Sequence, residues 1–377
     1  MSRLGFYSFI TLFVIGSLTV WDANAASRAA AANPAKPIVE SHENTILSPF
    51  RNSMAYVRWN SGDHRNRDVR IREYAPFFHT LHFSIPEEHY DYLNMTDDTF
   101  RHSMESYQGV ADTMSHILKQ SESEKDGNTG PQPESATNPR QRPASEIDGL
   151  MYYHFDSWLS PLDFANEDRN NVWLMGGVNQ NPRYLCTNTT ERHDWLWFGQ
   201  GAQGPIRSAL KAVANDPMGY VVPPDNKLCY GWADIYWIPR RFFRDWIYLA
   251  NIFNLHRGMH EMAVPTILTI IDLTYRTHET RPLLTRIGDC YGGCCSVAKY
   301  ADDDVLFYRC GHKLDHLNMD TVNAQTNRLR EQAAMLGQPF NATLQLEKPN
   351  IQDNTAPAST GTALTKRAFV PPSAWML

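Results

Sequence analysis

The chain alternates between short runs of apolar residues and longer segments in which apolar residues recur every three or four positions. The short runs predict buried strands at 74–85, 149–155, 171–175, 230–238 and 305–308. The helical spacing predicts helices at 97–120, 205–215, 240–255, 260–275 and 319–335. Strands that alternate with helices are typical of an α/β fold with a mostly parallel central sheet flanked by helices.

The two ends of the chain differ in composition from the middle. Residues 4–21 form a mostly apolar run behind Arg3, with a length between that of a signal-peptide core and that of a membrane-spanning helix. Small residues at Ala23 and Ala25 suit cleavage, so 1–25 is either a signal anchor or a cleaved signal peptide. We expect 26–66 to be a stem, 67–337 the folded domain and 338–377 a flexible tail, with a disordered polar insertion at 121–145.

Both interpretations of the N-terminus place the protein in the secretory pathway. It would be a single-pass type II protein of the Golgi or another secretory membrane, with a lumenal domain, or else a secreted protein. Glycosylation sequons begin at Asn94, Asn188 and Asn341. The cysteines are even in number, which suits disulfides in an oxidising compartment: Cys186, Cys229, Cys290, Cys294, Cys295 and Cys310. Free buried thiols remain an alternative, as does a zinc site made by Cys290, Cys294 or Cys295, Cys310 and His312.

Composition excludes several classes of protein. The chain has 377 residues, of which 42% are hydrophobic, so it can bury a substantial core. A formal net charge of −6 argues against nucleic acid as a partner, because phosphate contacts need clustered Lys and Arg. No internal repeat is visible in the sequence, which argues against solenoids and propellers.

Two candidate sites follow predicted strands. His154 and Asp156 come at the end of the strand at 149–155, and the carboxyl edge of an α/β sheet is where such folds bind ligands. Asp156 can equally cap the following turn, with His154 as a hydrogen-bonded core residue. His312 and His316 follow the last predicted strand, where they are either ligands or exposed loop residues.

Two further carboxylates have unusual surroundings. Asp234 lies among aromatic strand residues, where a carboxylate is costly unless it is paired or faces a site. Glu261 lies in the first turn of a predicted helix, where the macrodipole favours a negative charge, so helix capping explains it equally well.

Taken in order, these segments resemble GT-A-type glycosyltransferases. The resemblance rests on the acidic turn at Asp156, the segment Tyr230-Gly231-Trp232-Ala233-Asp234 with a later Pro239, the segment His260-Glu261-Met262-Ala263-Val264-Pro265-Thr266, and Gly311-His312-Lys313. The resemblance covers about 148–316 of the chain. Within this class, the chain distantly resembles STELLO-type glycosyltransferase-like proteins of the Golgi lumen.

This resemblance implies a GT-A-like single domain that uses a divalent metal, Mn²⁺ or Mg²⁺, to bind a nucleotide sugar. The sugar would pass to a hydroxyl of a glycan, lipid or protein acceptor. It implies that His154 and Asp156 contact the cofactor, that Asp156 and His312 bind the metal, and that Asp234 and Glu261 are catalytic, with Glu261 facing the acceptor hydroxyl.

The sequence departs from the family pattern at one position. His154 stands where the usual Asp-x-Asp motif has its first Asp, so metal binding is weakened, taken over by a histidine ligand, or lost. A catalytically inactive scaffold of the same fold is therefore an alternative. A carbohydrate-binding protein is another, because sugar faces stack on aromatic rings such as those of Trp158, Trp195, Trp197, Trp232, Trp237 and Trp246.

Overall fold

The computed structural model describes residues 46–59, 72–86, 98–100, 106–126, 143–177, 186–187, 201–224, 227–291, 308–312, 314 and 318–336. The chain divides into two units, 1–47 and 48–377, and only 46 and 47 of the first are described. The predicted signal segment, the three sequons and the tail at 338–377 lie outside the described residues. Among the helices that the structure does describe, none has both the length and the apolar character needed to cross a bilayer.

The secondary structure alternates between strands and helices along the chain. The strands are β1 (Ser53–Arg58), β2 (Thr80–Pro86), β3 (Asp98–Phe100), β4 (Gly149–His154), β5 (Ser157–Leu159), β6 (Val172–Gly177), β7 (Cys186–Thr187), β8 (Leu228–Cys229), β9 (Ile235–Pro239), β10 (Leu284–Tyr291) and β11 (Cys310–His312). The helices are α1 (Ser106–Lys125), α2 (Gln203–Ala214), α3 (Phe243–Leu255), α4 (His260–Glu279) and α5 (Met319–Met335).

Nine of the described strands form one sheet in the order β3-β2-β1-β4-β9-β6-β10-β11-β5, and β7 pairs with β8 separately. Within the large sheet, β9 runs antiparallel to β4 and β6, and β5 runs antiparallel to β11. The remaining neighbours are parallel. The predicted α/β fold with a mostly parallel sheet flanked by helices is therefore confirmed.

The large sheet must curl. Only Phe155 and Asp156 separate β4 from β5 along the chain, yet four strands lie between them in the sheet. Five strand spacings across a flat sheet would measure about 24 Å, whereas a connection of two residues spans at most roughly 10 Å. The end of the sheet that holds β11 and β5 is therefore brought back towards the carboxyl end of β4.

Both faces of the sheet are buried under different layers. Alternate residues such as Tyr56 and Tyr236 pack in one hydrophobic cluster with residues of α1 to α4. Their neighbours, such as Val57 and Trp237, point to the opposite face and pack in a second, strongly aromatic cluster with α5. This two-sided burial explains why the strands are apolar without simple alternation.

Several predicted boundaries are wrong. Residues 53–58, predicted as part of a stem, form the interior strand β1, whose six residues are all buried. The predicted insertion at 121–145 begins too early, because α1 continues to Lys125. Strand β10 was not predicted, because its burial is irregular and a register shift interrupts it. The last strand is at 310–312, while the predicted strand at 305–308 lies almost wholly outside the described residues.

Two disulfides join neighbouring strands. Cys186 pairs with Cys229 across β7 and β8, and Cys290 pairs with Cys310 across β10 and β11. No described cysteine is free. The alternative zinc site is wrong in so far as it needed Cys290 and Cys310, because a disulfide sulfur has no thiolate to offer a metal.

Candidate functional site

The candidate site lies at the carboxyl edge of the sheet, beside β1 and β4. The chain leaves β1 for β2 on one side, whereas β4, which follows β3 and α1, pairs with β1 on the other side. The sheet therefore has a topological switch point between β1 and β4, the place where open α/β sheets bind ligands. Arg58 and His154 are register partners at the carboxyl ends of these two strands, and Asp156 follows two residues later.

Two more strands deliver side chains to the same edge. Asp234 directly precedes β9, which is antiparallel to β4, and the His154 backbone N–H donates to the Asp234 carbonyl at 3.0 Å. His312 is the last residue of β11 and pairs with Ser157 at the start of β5. Because the sheet curls, its far end brings His312 to the turn that carries Asp156.

Asp156 lies between two histidines. Its Oδ1 is 2.6 Å from His154 Nδ1 and 3.2 Å from His312 Nε2, and the same His312 nitrogen is 3.3 Å from Asp234 Oδ1. Burial works to raise the pKa of Asp156, but the hydrogen bonds and charges of His154 and His312 outweigh it and hold that pKa well below its usual range. Asp156 is therefore a charged carboxylate.

Glu261 joins the cluster from the first turn of α4. The helix contains Pro265, which has no backbone N–H to donate to the Glu261 carbonyl four residues earlier. That carbonyl instead accepts from the Gly231 N–H at 3.0 Å. Because Pro265 leaves the Glu261 carbonyl available, the hydrogen bond from Gly231 can tie the start of α4 to the loop before Asp234.

One oxygen of the Glu261 carboxylate is shielded from solvent. The atom Oε2 is buried and has no hydrogen-bond partner among the described residues. Burial raises the pKa of Glu261, the negative charge of Asp234 raises it further, and His154 and His312 act in the opposite direction. Glu261 thus shares one electrostatic environment with the other members of the cluster.

His260, at the start of α4, makes hydrogen bonds to the chain before β9 and to the start of α1. Its Nε2 is 3.0 Å from the Ala233 carbonyl and its Nδ1 is 2.8 Å from Ser106 Oγ. A carbonyl can only accept, so Nε2 carries the proton and Nδ1 accepts from the serine hydroxyl. Burial lowers the pKa of His260 to about 4, which keeps the ring neutral near pH 7. The residues that follow Ala233 and His260 in the chain are Asp234 and Glu261, so this bond fixes their spacing.

The donor set suits a divalent metal ion. His154, Asp234 and His312 each offer one ligand atom, and these atoms all lie within 4.8 Å of one another. Two ligand atoms that share one ion at about 2.1 Å are separated by about 3.0–3.4 Å, a range that includes the 3.3 Å between His312 and Asp234 and also the 3.2 Å between His312 and Asp156. Two imidazoles and one carboxylate also leave coordination positions for a substrate.

Asp156, Asp234, Glu261 and His312, which the sequence predicts as site residues from four separate segments, thus converge with His154. Their chemical roles stay predictions. His316 lies outside the described residues, as do Trp195 and Trp197. Trp158, Trp237 and Trp246 are buried core residues, so these three do not offer a surface for stacking sugars.

Sequence reasoning missed two residues at this edge. The buried Arg58 ends a strand that the sequence had not revealed, and it donates to Ser84 Oγ at 3.0 Å. His260 was visible beside Glu261, but no role was assigned to it. A histidine at the start of an apolar helix, directly before an acidic residue, is the signal that would have found it.

Comparison with known proteins gives little guidance. No protein-family model and no curated protein sequence matches the chain. Among solved structures, the chain is similar to the crystal structure of mouse xyloside xylosyltransferase 1 in its apo form, with 10% identity over 69% of this chain and 97% of that one and a TM-score of 0.24. A similarity at this level is distant and carries no argument about family or activity.

Proposed function

We propose that this protein is a metal-dependent glycosyltransferase that moves a sugar from a nucleotide sugar to a hydroxyl of a glycan, lipid or protein. The observation that carries the proposal is the convergence of His154, Asp156, Asp234, Glu261 and His312 at one sheet edge, beside the switch point of β1 and β4. The order of the motifs that contain these residues resembles the same class of enzyme.

Charge explains why a metal belongs in this proposal. Asp156, Asp234 and Glu261 bring three carboxyl groups to the edge, which would repel the diphosphate of a nucleotide sugar. A divalent ion held by His154, Asp234 and His312 would act as a Lewis acid that neutralises the leaving diphosphate. Asp156 then keeps its hydrogen bond to His154 and fixes the position of that ring.

Glu261 is the residue we assign to the acceptor. It lies outside the three-residue donor group, and its Oε2 is buried with no partner among the residues that the structure describes. A carboxylate in that position can accept the proton of the acceptor hydroxyl as the sugar is transferred, a step that contributes about 10²–10⁴ in rate.

The test uses the purified full chain with a panel of nucleotide sugars and divalent ions. We expect at least one donor to raise the melting temperature only when an ion is present, and to be hydrolysed or transferred. Glu261→Gln should still bind that donor but lose about 10²–10⁴ in turnover. Glu331→Gln makes the same change at an exposed position of α5 and should behave as wild type.

Two outcomes would contradict the proposal. One is that no donor binds or reacts with any ion. The other is that Glu261→Gln, correctly folded, retains full turnover. Donor binding without any transfer, in wild type and variant alike, would instead favour the inactive scaffold, which the histidine at position 154 motivates.

We also propose that the protein works in the secretory pathway. Two disulfides are typical of an oxidising compartment. Anchoring through 4–21, or cleavage after it, stays a prediction that sequencing of the mature N-terminus decides.

A further inference from the structure

We propose that the cluster selects a borderline transition-metal ion, such as Zn²⁺ or Co²⁺, over Mg²⁺, with His154, Asp234 and His312 as ligands and Asp156 as the residue that orients His154. This inference rests on the proposed function only in naming the same site. It replaces the expectation that Asp156 is itself a ligand of Mn²⁺ or Mg²⁺.

The preference follows from the ligand types. Mg²⁺ favours carboxylate, carbonyl and water oxygens, whereas imidazole nitrogen suits Zn²⁺ and the other borderline ions. Two of the three residues that offer ligand atoms here are histidines. His154 is decisive because it occupies the position at which an Asp-x-Asp motif would supply a carboxylate.

The role of Asp156 follows from its contact with His154. Asp156 Oδ1 lies 2.6 Å from His154 Nδ1, a short hydrogen bond to a carboxylate. An imidazole that donates through Nδ1 has Nε2 left to bind a metal, and such carboxylate partners fix the tautomer and the orientation of ligand histidines. The Leu314 N–H donates to the Asp156 carbonyl at 2.6 Å, which ties this turn to the chain just beyond β11.

The experiment measures ion binding by the metal-free, tag-free full chain, without any substrate. Equilibrium dialysis with metal analysis gives the stoichiometry and the competition between Co²⁺ and Mg²⁺, and the visible spectrum of bound Co²⁺ reports its ligands. We expect one Co²⁺ per chain, bound at least about 100-fold more tightly than Mg²⁺.

Three variants test the assignment of ligands. His154→Asp should lower the ratio of Co²⁺ to Mg²⁺ affinity by more than about tenfold, because it replaces nitrogen with oxygen. His116→Asp makes the same change on the exposed side of α1 and should leave the ratio unchanged. Asp156→Asn keeps an oxygen acceptor for His154, so it should weaken Co²⁺ binding by about 10–100-fold while preserving the Co²⁺ spectrum.

The wild-type measurement decides the inference even where a variant does not fold. Binding of Mg²⁺ as tight as that of Co²⁺, or no stoichiometric ion at all, would overturn it. A changed Co²⁺ spectrum in folded Asp156→Asn would overturn the role given to Asp156. Sugar transfer supported by Mg²⁺ alone would refute this inference and leave the proposed function intact. Selective Co²⁺ binding without any reaction of a donor would support this inference and contradict the proposed function.

Discussion

At the scale of single residues, the site depends on groups that hold the acidic side chains in place. Pro265 cannot donate to the Glu261 carbonyl, and Gly231 takes that acceptor. His260 binds the Ala233 carbonyl and Ser106. The contacts with Gly231 and Ala233 join the start of α4 to the chain before β9, so the separation between Asp234 and Glu261 is set by neutral groups.

The buried neutral state of His260 predicts a pH dependence of stability. Its pKa is about 4 in the folded protein, against about 6.5 for an unperturbed histidine. Between these values the unfolded chain binds more protons, so the free energy of unfolding falls as the pH falls from about 6.5 to about 4. For this buried ring, the full change is about 3 kcal/mol.

We expect His260→Gln to lose that contribution. Denaturant unfolding should give wild type a clearly higher free energy of unfolding than the variant at pH 7. The difference between the two free energies should be smaller at pH 4.5. His278→Gln, at an exposed position of the same helix, should follow wild type at both values. An equal gap between wild type and His260→Gln at the two pH values would show that His260 does not titrate as described.

At the scale of elements, the sequence predicted the helices better than the strands. The bounds of α5 agree with the prediction at 319–335, and those of α2 to α4 agree within a few residues, because apolar spacing over many residues is a strong signal. Strands β1 and β10 were missed. Strand β1 lies in a segment that the composition assigns to a stem, and the register shift in β10 between Ile287 and Cys290 disrupts the pattern that would reveal that strand.

Strand β11 illustrates how close packing fixes a functional side chain. Gly311 pairs with Trp158 of β5, and a Cβ added at Gly311 would lie 2.1 Å from the indole ring. Gly311→Ala must therefore displace either the strand or the ring. We expect a loss of about 1–3 kcal/mol in unfolding free energy, together with weaker metal binding, because His312 is the next residue.

The matched control is Gly204→Ala in α2, where the added Cβ would meet nothing within 4 Å. Alanine is the better helix former, so this variant should be neutral or more stable by up to about 1 kcal/mol. Denaturant unfolding and Co²⁺ titration measure both effects. If Gly311→Ala were as stable as wild type and bound Co²⁺ equally well, the contact between β11 and β5 would not fix His312.

At the scale of the whole molecule, the curled sheet creates the site. His154 ends a central strand, while His312 ends a strand four places away in the sheet order. The sequence could suggest that both lie at carboxyl edges of strands, but it could not show that the edges meet. That meeting depends on β5 following β4 after only two residues and then pairing with β11, a long-range pairing that no local pattern encodes.

The disulfide between Cys290 and Cys310 reinforces this arrangement, because it links β11 to β10 two residues before His312. Replacing both cysteines with serine removes a cross-link over 20 residues of chain, with an expected loss of about 3 kcal/mol in unfolding free energy. We expect metal binding to weaken as well, since β11 then loses its covalent link to β10.

The second disulfide supplies the control for this prediction. Cys186 and Cys229 join β7 to β8, outside the large sheet, and their double serine variant should lose a comparable amount of stability. Its affinity for Co²⁺ should nevertheless match that of wild type at temperatures where both are folded. If the two double variants lost metal affinity equally, the effect would come from general destabilisation. If only the double variant in β10 and β11 lost affinity for Co²⁺, metal binding would be coupled to the curling of the sheet. Both bring His312 to the residues that follow β4.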